Sequence, residues 1–141
     1  MDNFGRKRTP LKIIIVDDSE VFREGLKFFI EYLLEYQVIY EARSGMEFLE
    51  LKYKNEADII LMDIHMPVLN GIETFSRDLD NNLRKTIAIS NLDEDIYLDK
   101  LIEVGFKGYL NKNSIYKELK GAIDVVFEGG LYFPEKIKMG K

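Results

Sequence analysis

The stretch IILMDIHMPVLNG, residues 59–71, constrains this chain more than any other. Four apolar residues, Ile59, Ile60, Leu61 and Met62, run into one carboxylate, Asp63, and then into a loop holding Pro67 and the pair Asn70-Gly71. An unbroken apolar run of that length predicts a strand buried on both faces, and so a sheet covered by helices on both sides. In an open parallel sheet, ligands bind in the crevice beyond the carboxyl ends of the strands, so a charge placed there is presented to a site. Taken alone, an aspartate after a strand is most often a solvated loop residue or a helix cap. Asp63 has to be weighed with its neighbours.

The first neighbour is near the start of the chain, where LKIIIVDDSE ends a second apolar run in Asp17 and Asp18. If the two strands lie side by side, three carboxylates meet at one end of the sheet. At ~4 Å and an effective dielectric of about 20, each like-charge pair costs roughly 4 kcal/mol. Such a cluster needs a cation or shared protons. Hard oxygen donors with room for waters suit magnesium, which prefers one or two carboxylates plus a phosphate to a complete protein cage.

These positions, taken with others, resemble the receiver domain of two-component response regulators. The resemblance spans about residues 11–128 and rests on an ordered set of strand-end residues: Asp17 and Asp18, Asp63 with Met66-Pro67 and Gly71, Ser90 after TIAI, Tyr109, and Lys112 after GYLN. It implies that Asp63 is the phosphoacceptor, taking a phosphoryl group from a histidine kinase or phosphotransfer protein. By the same resemblance Asp18 is a direct ligand of Mg2+ (with Mn2+ as the alternative ion), Asp17 a ligand through water, and His65 a ligand through its backbone carbonyl. Lys112 and the Ser90 hydroxyl would contact the phosphoryl group. Ser90 and Tyr109 would form the switch, Ser90 drawn toward the phosphate and Tyr109 turning inward to change the surface of the fourth helix, fifth strand and fifth helix, a face that serves dimers or targets.

Two departures from the family pattern stand out. Asn91 occupies a place where many receivers have alanine, and Asn113 follows Lys112 where many have proline. The geometry of the Lys112–Asn113 bond is left open, because a cis bond without proline costs ~3 kcal/mol or more.

The remaining pattern is five strands alternating with five helices. Residues 11–16, 37–42, 59–63, 86–90 and 106–110 are the apolar or β-rich runs. Ser19 can cap a first helix with Val21, Phe22, Leu26, Phe29, Ile30, Leu33 and Leu34 in its stripe. Ser44-Gly45 opens a second. A third runs through Ile72, Phe75 and Leu79 and is closed by Asn81 and Asn82; NLDED gives a fourth an acidic start. Gly105 ends that helix. Asn113 or Ser114 caps the last, with Ile115, Leu119, Ile123, Val126 and Phe127 inward. The expected fold is α/β: a doubly wound five-stranded parallel sheet of order 2-1-3-4-5, the flavodoxin-like (βα)5 receiver arrangement, in which strands one and three adjoin. Tyr109 shares a face with neither Leu110 nor Phe106 if the strand is regular, and the bland alternative to its switch role is an edge aromatic with its hydroxyl in water.

Length and charge bound the rest. At 141 residues and 46% hydrophobic the chain suits one core. Residues 1–10, with Arg6, Lys7 and Arg8, read as a flexible basic arm, 11–128 as the receiver, and 129–141 as a tail or interdomain linker like those that lead to LuxR-like helix-turn-helix output domains. The residues after Glu128 are too few for such a domain, which leaves a stand-alone receiver or a fragment. A net charge of −5 argues against direct nucleic-acid binding by this domain. Without cysteine, a signal core or an apolar run near the ~20 residues that span a bilayer, a cytoplasmic protein is expected. Partners would be the kinase and, on phosphorylation, a second copy of the chain. Two other functions compete: a magnesium-dependent phosphatase with an aspartyl nucleophile, weakened because His65 stands where its acid/base aspartate would be, and a phosphorylation-independent interaction module.

Overall fold

A computed structural model describes residues 9–91 and 96–134. Five strands, β1 (Lys12–Val16), β2 (Gln37–Ala42), β3 (Ile59–Asp63), β4 (Thr86–Ser90) and β5 (Gly108–Asn111), alternate with helices α1 (Glu20–Phe28), α2 (Gly45–Glu50), α3 (Gly71–Arg77), α4 (Ile96–Val104) and α5 (Ile115–Phe127). All strand pairs are parallel and the order is 2-1-3-4-5, so β1 and β3 do adjoin. The acidic lead-in to α4, the basic arm before Thr9 and the end of the tail lie outside the described residues.

Strand alternation sends successive side chains into two separate layers. Ile14, Val16, Ile60, Met62 and Ala88 face one cluster with Phe48, Phe75, Leu98, Leu101 and Phe106. Ile13, Ile15, Leu61, Ile87 and Ile89 face the other, with Leu26, Ile30, Ile115, Leu119 and Ile123. Each fully buried Ile or Leu contributes on the order of 2 kcal/mol. Because β1, β3 and β4 are closed in on both faces, their ends are held fixed, and the loops that leave them are positioned by the core.

Several helix details depart from simple periodicity. Ser19 caps α1, its hydroxyl accepting from Phe22 N–H at 3.2 Å. Counting back from Leu26 by three and four gives Arg23 and Phe22, so Val21 falls off the stripe and is 81% exposed. A π-helical turn, residues 29–33, extends α1 and is marked by Leu34 N–H donating to the Phe29 carbonyl. Its extra residue rotates the face, which leaves Leu33 exposed and Leu34 half-buried. Leu79 is exposed because α3 stops at Arg77; Asp78, held by buried Arg84, takes the capping place. Asn81 still serves that helix end, donating from Nδ2 to the Phe75 carbonyl at 2.9 Å.

Gly105 closes α4 with φ +116, the left-handed backbone that glycine adopts without cost. The fifth strand begins at Gly108, two residues later than residue 106, so Phe106 precedes the strand and lies in the same cluster as Tyr109. That corrects the alternation argument. Neither proposed cap of α5 acts through its side chain: Ser114 occupies the capping position, but its hydroxyl donates to Glu118 at 3.3 Å. Phe127 is 37% exposed at the helix end, its ring lying under the Lys85 ammonium. Past α5 the chain turns back, and Tyr132 pairs with Gly108 in an isolated parallel bridge. Among the described residues no helix is long and apolar enough to cross a membrane.

Candidate functional site

The carboxyl ends of β1, β3 and β5 deliver the site. Asp17 extends β1 by donating its N–H to the Ala42 carbonyl at 3.0 Å, and it is fully buried. Its Oδ1 accepts the Ser19 N–H at 2.8 Å. Behind it, Arg23 donates from Nη1 to the Asp17 carbonyl at 2.7 Å and from Nε to Glu41 at 3.1 Å. A buried guanidinium thereby fixes the backbone of a buried carboxylate. Asp18 is exposed.

Asp63 closes β3 and is 2% exposed. Its Oδ1 accepts the His65 N–H at 3.2 Å. The loop beyond it is tight: Leu69 N–H donates to the Pro67 carbonyl at 2.7 Å around Val68, whose φ is +69. Such a turn at a β-branched residue is strained, and strain of that kind collects at functional loops. Asn70 then caps α3 reciprocally with Glu73. Gly71 is required by contact, since a Cβ there would stand 2.4 Å from the Asp63 carbonyl oxygen.

Carboxylate oxygens of Asp17, Asp18 and Asp63 all lie within 4.8 Å of one another. Lys112, just past β5, brings its Nζ to 2.7 Å from Asp17 Oδ2 and 3.6 Å from Asp63 Oδ2. The Asp17 contact is an ion pair without the alignment of a hydrogen bond, so that buried oxygen retains accepting capacity. The ammonium also sits 4.4 Å from the centroid of the Phe22 ring. Burial, and next the repulsion of Asp17, push the Asp63 carboxyl up to about 7, with Lys112 acting in the opposite direction. Three hard oxygen donors at this spacing, one of them exposed, fit a small divalent cation that keeps waters.

Ser90 ends β4 and is buried; its carbonyl accepts the Lys112 N–H at 2.8 Å, which ties the last strand to the fourth. Asn91 beside it is exposed. The described residues contain no cis peptide, so the Lys112–Asn113 bond is trans, and Asn111 Oδ1 accepts the Asn113 N–H at 2.8 Å to shape the turn. Tyr109 is 9% exposed and belongs to the α2–α3–α4 side cluster. Its ring is therefore already inward, which argues against the bland alternative of an edge aromatic. His65 is exposed in the loop and fills, with an imidazole, the position where an aspartyl phosphatase would have its acid/base carboxylate.

Of the residues that resemblance singled out, Asp17, Asp18, Asp63 and Lys112 lie together, Ser90 ends the neighbouring strand, and Tyr109 lies in the cluster with Leu98 and Leu101 of α4. Arg23 and Val68 escaped the sequence, and Phe22 was read only as part of the first helix's apolar stripe. A buried arginine on an otherwise apolar stripe was the only available signal for Arg23.

A family model described as the response regulator receiver domain matches residues 13–124. The chain belongs to this family. Similar curated proteins include the transcriptional regulatory protein DegU of Brevibacillus brevis, 36% identical over 90% of this chain and 54% of the relative, and YdfI of Bacillus subtilis, 37% identical over 85% of this chain and 56% of the relative. This receiver spans about half the length of those relatives. Among solved structures, a LuxR-family two-component response regulator from Aurantimonas sp. SI85-9A1 superposes with a TM-score of 0.82 at 27% identity, covering 92% of this chain and 94% of that one. The receiver of a NarL response regulator from Mycobacterium tuberculosis gives 0.77 at 25%, covering 86% and 99%. The chain is a receiver domain of two-component signalling.

Proposed function

We propose that this receiver is a phosphoacceptor switch in which Asp63 takes a phosphoryl group from a histidine kinase or phosphotransfer protein. The observation that carries this is the convergence of Asp17, Asp18 and Asp63 beneath one ammonium, that of Lys112. An Asp63 oxygen attacks phosphorus, the P–N bond of the donor phosphohistidine breaks, and its electron pair leaves on the imidazole nitrogen. A carboxylate is a weak nucleophile toward a charged phosphoryl group, so in-line positioning and neutralisation supply most of the rate. Bound Mg2+, or Mn2+ in its place, neutralises phosphoryl charge; Asp18 and Asp63 would hold it directly, Asp17 through water, and His65 through its carbonyl. Lys112 would move from Asp17 to a phosphoryl oxygen, and the Ser90 hydroxyl would donate to another. The receiver catalyses its own phosphorylation and dephosphorylation and has no other turnover.

The readout is a shift between two states. A phosphoryl group carrying roughly one and a half to two charges draws Ser90 toward it and favours the inward Tyr109. The surface of α4, β5 and α5 then serves a target or a second copy of the chain. Residues 11–128 act as the receiver and 129–141 as a tail or an interdomain linker; the setting is the cytoplasm, and an effect on transcription would run through an output domain joined by such a linker. Incubation with magnesium and acetyl phosphate, followed by intact mass, tests the reading. A retained phosphoryl group supports it; donor hydrolysis at many turnovers without label supports an aspartyl phosphatase, and neither outcome supports an interaction module.

A further inference from the structure

The strand order leaves the outer edge of β5 without a neighbour among the five strands, and an open edge is a row of unsatisfied N–H and C=O groups. This chain covers that edge with its own C-terminal segment. After α5, Gly129 takes φ +101 and Gly130 donates to the Val125 carbonyl at 2.9 Å, which reverses the direction of the backbone. Tyr132 then lies along β5. Its N–H donates to the Lys107 carbonyl at 3.0 Å, and its carbonyl accepts the Tyr109 N–H at 2.9 Å. Its hydroxyl donates to Glu118 of α5 at 3.0 Å. The next residue, Phe133, is buried in the same apolar cluster as Tyr109, Phe106, Leu98 and Leu101. Gly108 leaves room for this approach: a Cβ there would stand 3.2 Å from the Tyr132 carbonyl oxygen.

We infer that the outer edge of β5 is an interaction surface for residues 131–134 of this same chain, and that the contact passes the state of Tyr109 to whatever follows Pro134. Two different ties join the partners. The Tyr109 amide is satisfied by the segment, so peeling the segment away strips that bond. The Tyr109 ring and Phe133 occupy one close-packed cluster with α4, so withdrawing either leaves space that the other must help fill. A docked segment and an inward Tyr109 therefore favour each other. Where Tyr109 responds to a phosphoryl group, as the proposed function has it, the same contact turns a change at Asp63 into a change in how the chain leaves the domain. The edge contact itself stands apart from that reading.

NMR on the full chain tests it, through hydrogen exchange of the Tyr109 and Tyr132 amides and the Tyr109 ring resonances. Phe133→Ala is expected to lower protection of both amides by at least about fivefold, the low end of site-to-site couplings, and to shift the Tyr109 ring. The Glu128 amide, which donates to the Asp124 carbonyl, keeps its protection. Tyr132→Phe removes only the bond to Glu118; it is expected to act in the same direction with smaller size, and it keeps the test open should Phe133→Ala unfold the core. Magnesium with beryllium trifluoride is expected to raise protection at both amides together. By reciprocity, Phe133→Ala then weakens beryllium trifluoride binding, by up to the factor by which that ligand raises protection. Loss of protection at Tyr132 with the Tyr109 ring unmoved overturns the inference. Beryllium trifluoride binding that shifts the His65 amide and leaves Tyr109 and Tyr132 unchanged overturns it as well. No shift at His65 would instead count against Asp63 as phosphoacceptor, and the two variants would still decide the edge contact.

Discussion

Lys112 is paired with Asp17: its Nζ lies 2.7 Å from Asp17 Oδ2, nearer than the 3.6 Å to Asp63. The lysine thus occupies the carboxylate cluster as a cation, competing with any metal for the same oxygens. Lys112→Ala is expected to tighten magnesium binding measured by calorimetry while slowing phosphorylation from acetyl phosphate on the order of a hundredfold, the usual loss for one transition-state charge partner. Weaker magnesium binding in the variant would show that Lys112 organises the cluster and does not compete for it.

Among the carboxylates, Asp18 and Asp63 should matter most to the ion, since Asp17 is the one the lysine holds more closely, at 2.7 Å against 3.6 Å for Asp63. Asp18→Ala and Asp63→Ala are expected to lower magnesium affinity more than Asp17→Ala does. Binding abolished by Asp17→Ala alone would reverse the ligand order.

Asp63 also sets a pH dependence. Its carboxyl is raised to about 7 in the folded chain, above the ordinary value of about 3.8. Between those values the folded state holds a proton that the unfolded state has released, so stability from this group is full at low pH and falls as pH rises toward 7. Urea unfolding in EDTA should therefore show the wild type losing ground to Asp63→Asn from about pH 4 to about pH 7, with a constant gap above. A gap that is flat across that window would mean the carboxyl is not raised.

Gly71 carries a steric prediction. A Cβ there would meet the Asp63 carbonyl oxygen at 2.4 Å, a backbone atom that cannot swing aside. Gly71→Ala is expected to cost about 2 kcal/mol in chemical denaturation, the middle of the range for overpacking. It should also weaken magnesium binding, because the Asp63 loop must shift. A variant with wild-type stability would contradict the close approach.

The strands were legible because β1, β3 and β4 are apolar on both faces and end in polar residues, and the crevice was legible because Asp17, Asp18, Asp63, Ser90 and Lys112 all follow such runs. Helix faces were less so. Leu33, Leu79 and Phe127 match a 3.6-residue stripe, but their burial depends on a π-helical turn or on where the helix stops, and periodicity carries neither, while Val21 falls off the stripe that Leu26 sets. Tyr109 was placed on the wrong side of Phe106 because the strand starts at Gly108. The return of Tyr132 to β5 is a tertiary pairing between residues of a segment that reads as linker, so no local pattern announces it.

The measurement that bears most directly on Asp63 as phosphoacceptor is site-resolved mass spectrometry after incubation with magnesium and acetyl phosphate. One phosphoryl group is predicted, on the peptide that contains Asp63, present in the wild type, lost on adding EDTA beforehand, and absent from Asp63→Asn. Full labelling of Asp63→Asn, or a label on any other peptide of the wild type, would contradict it.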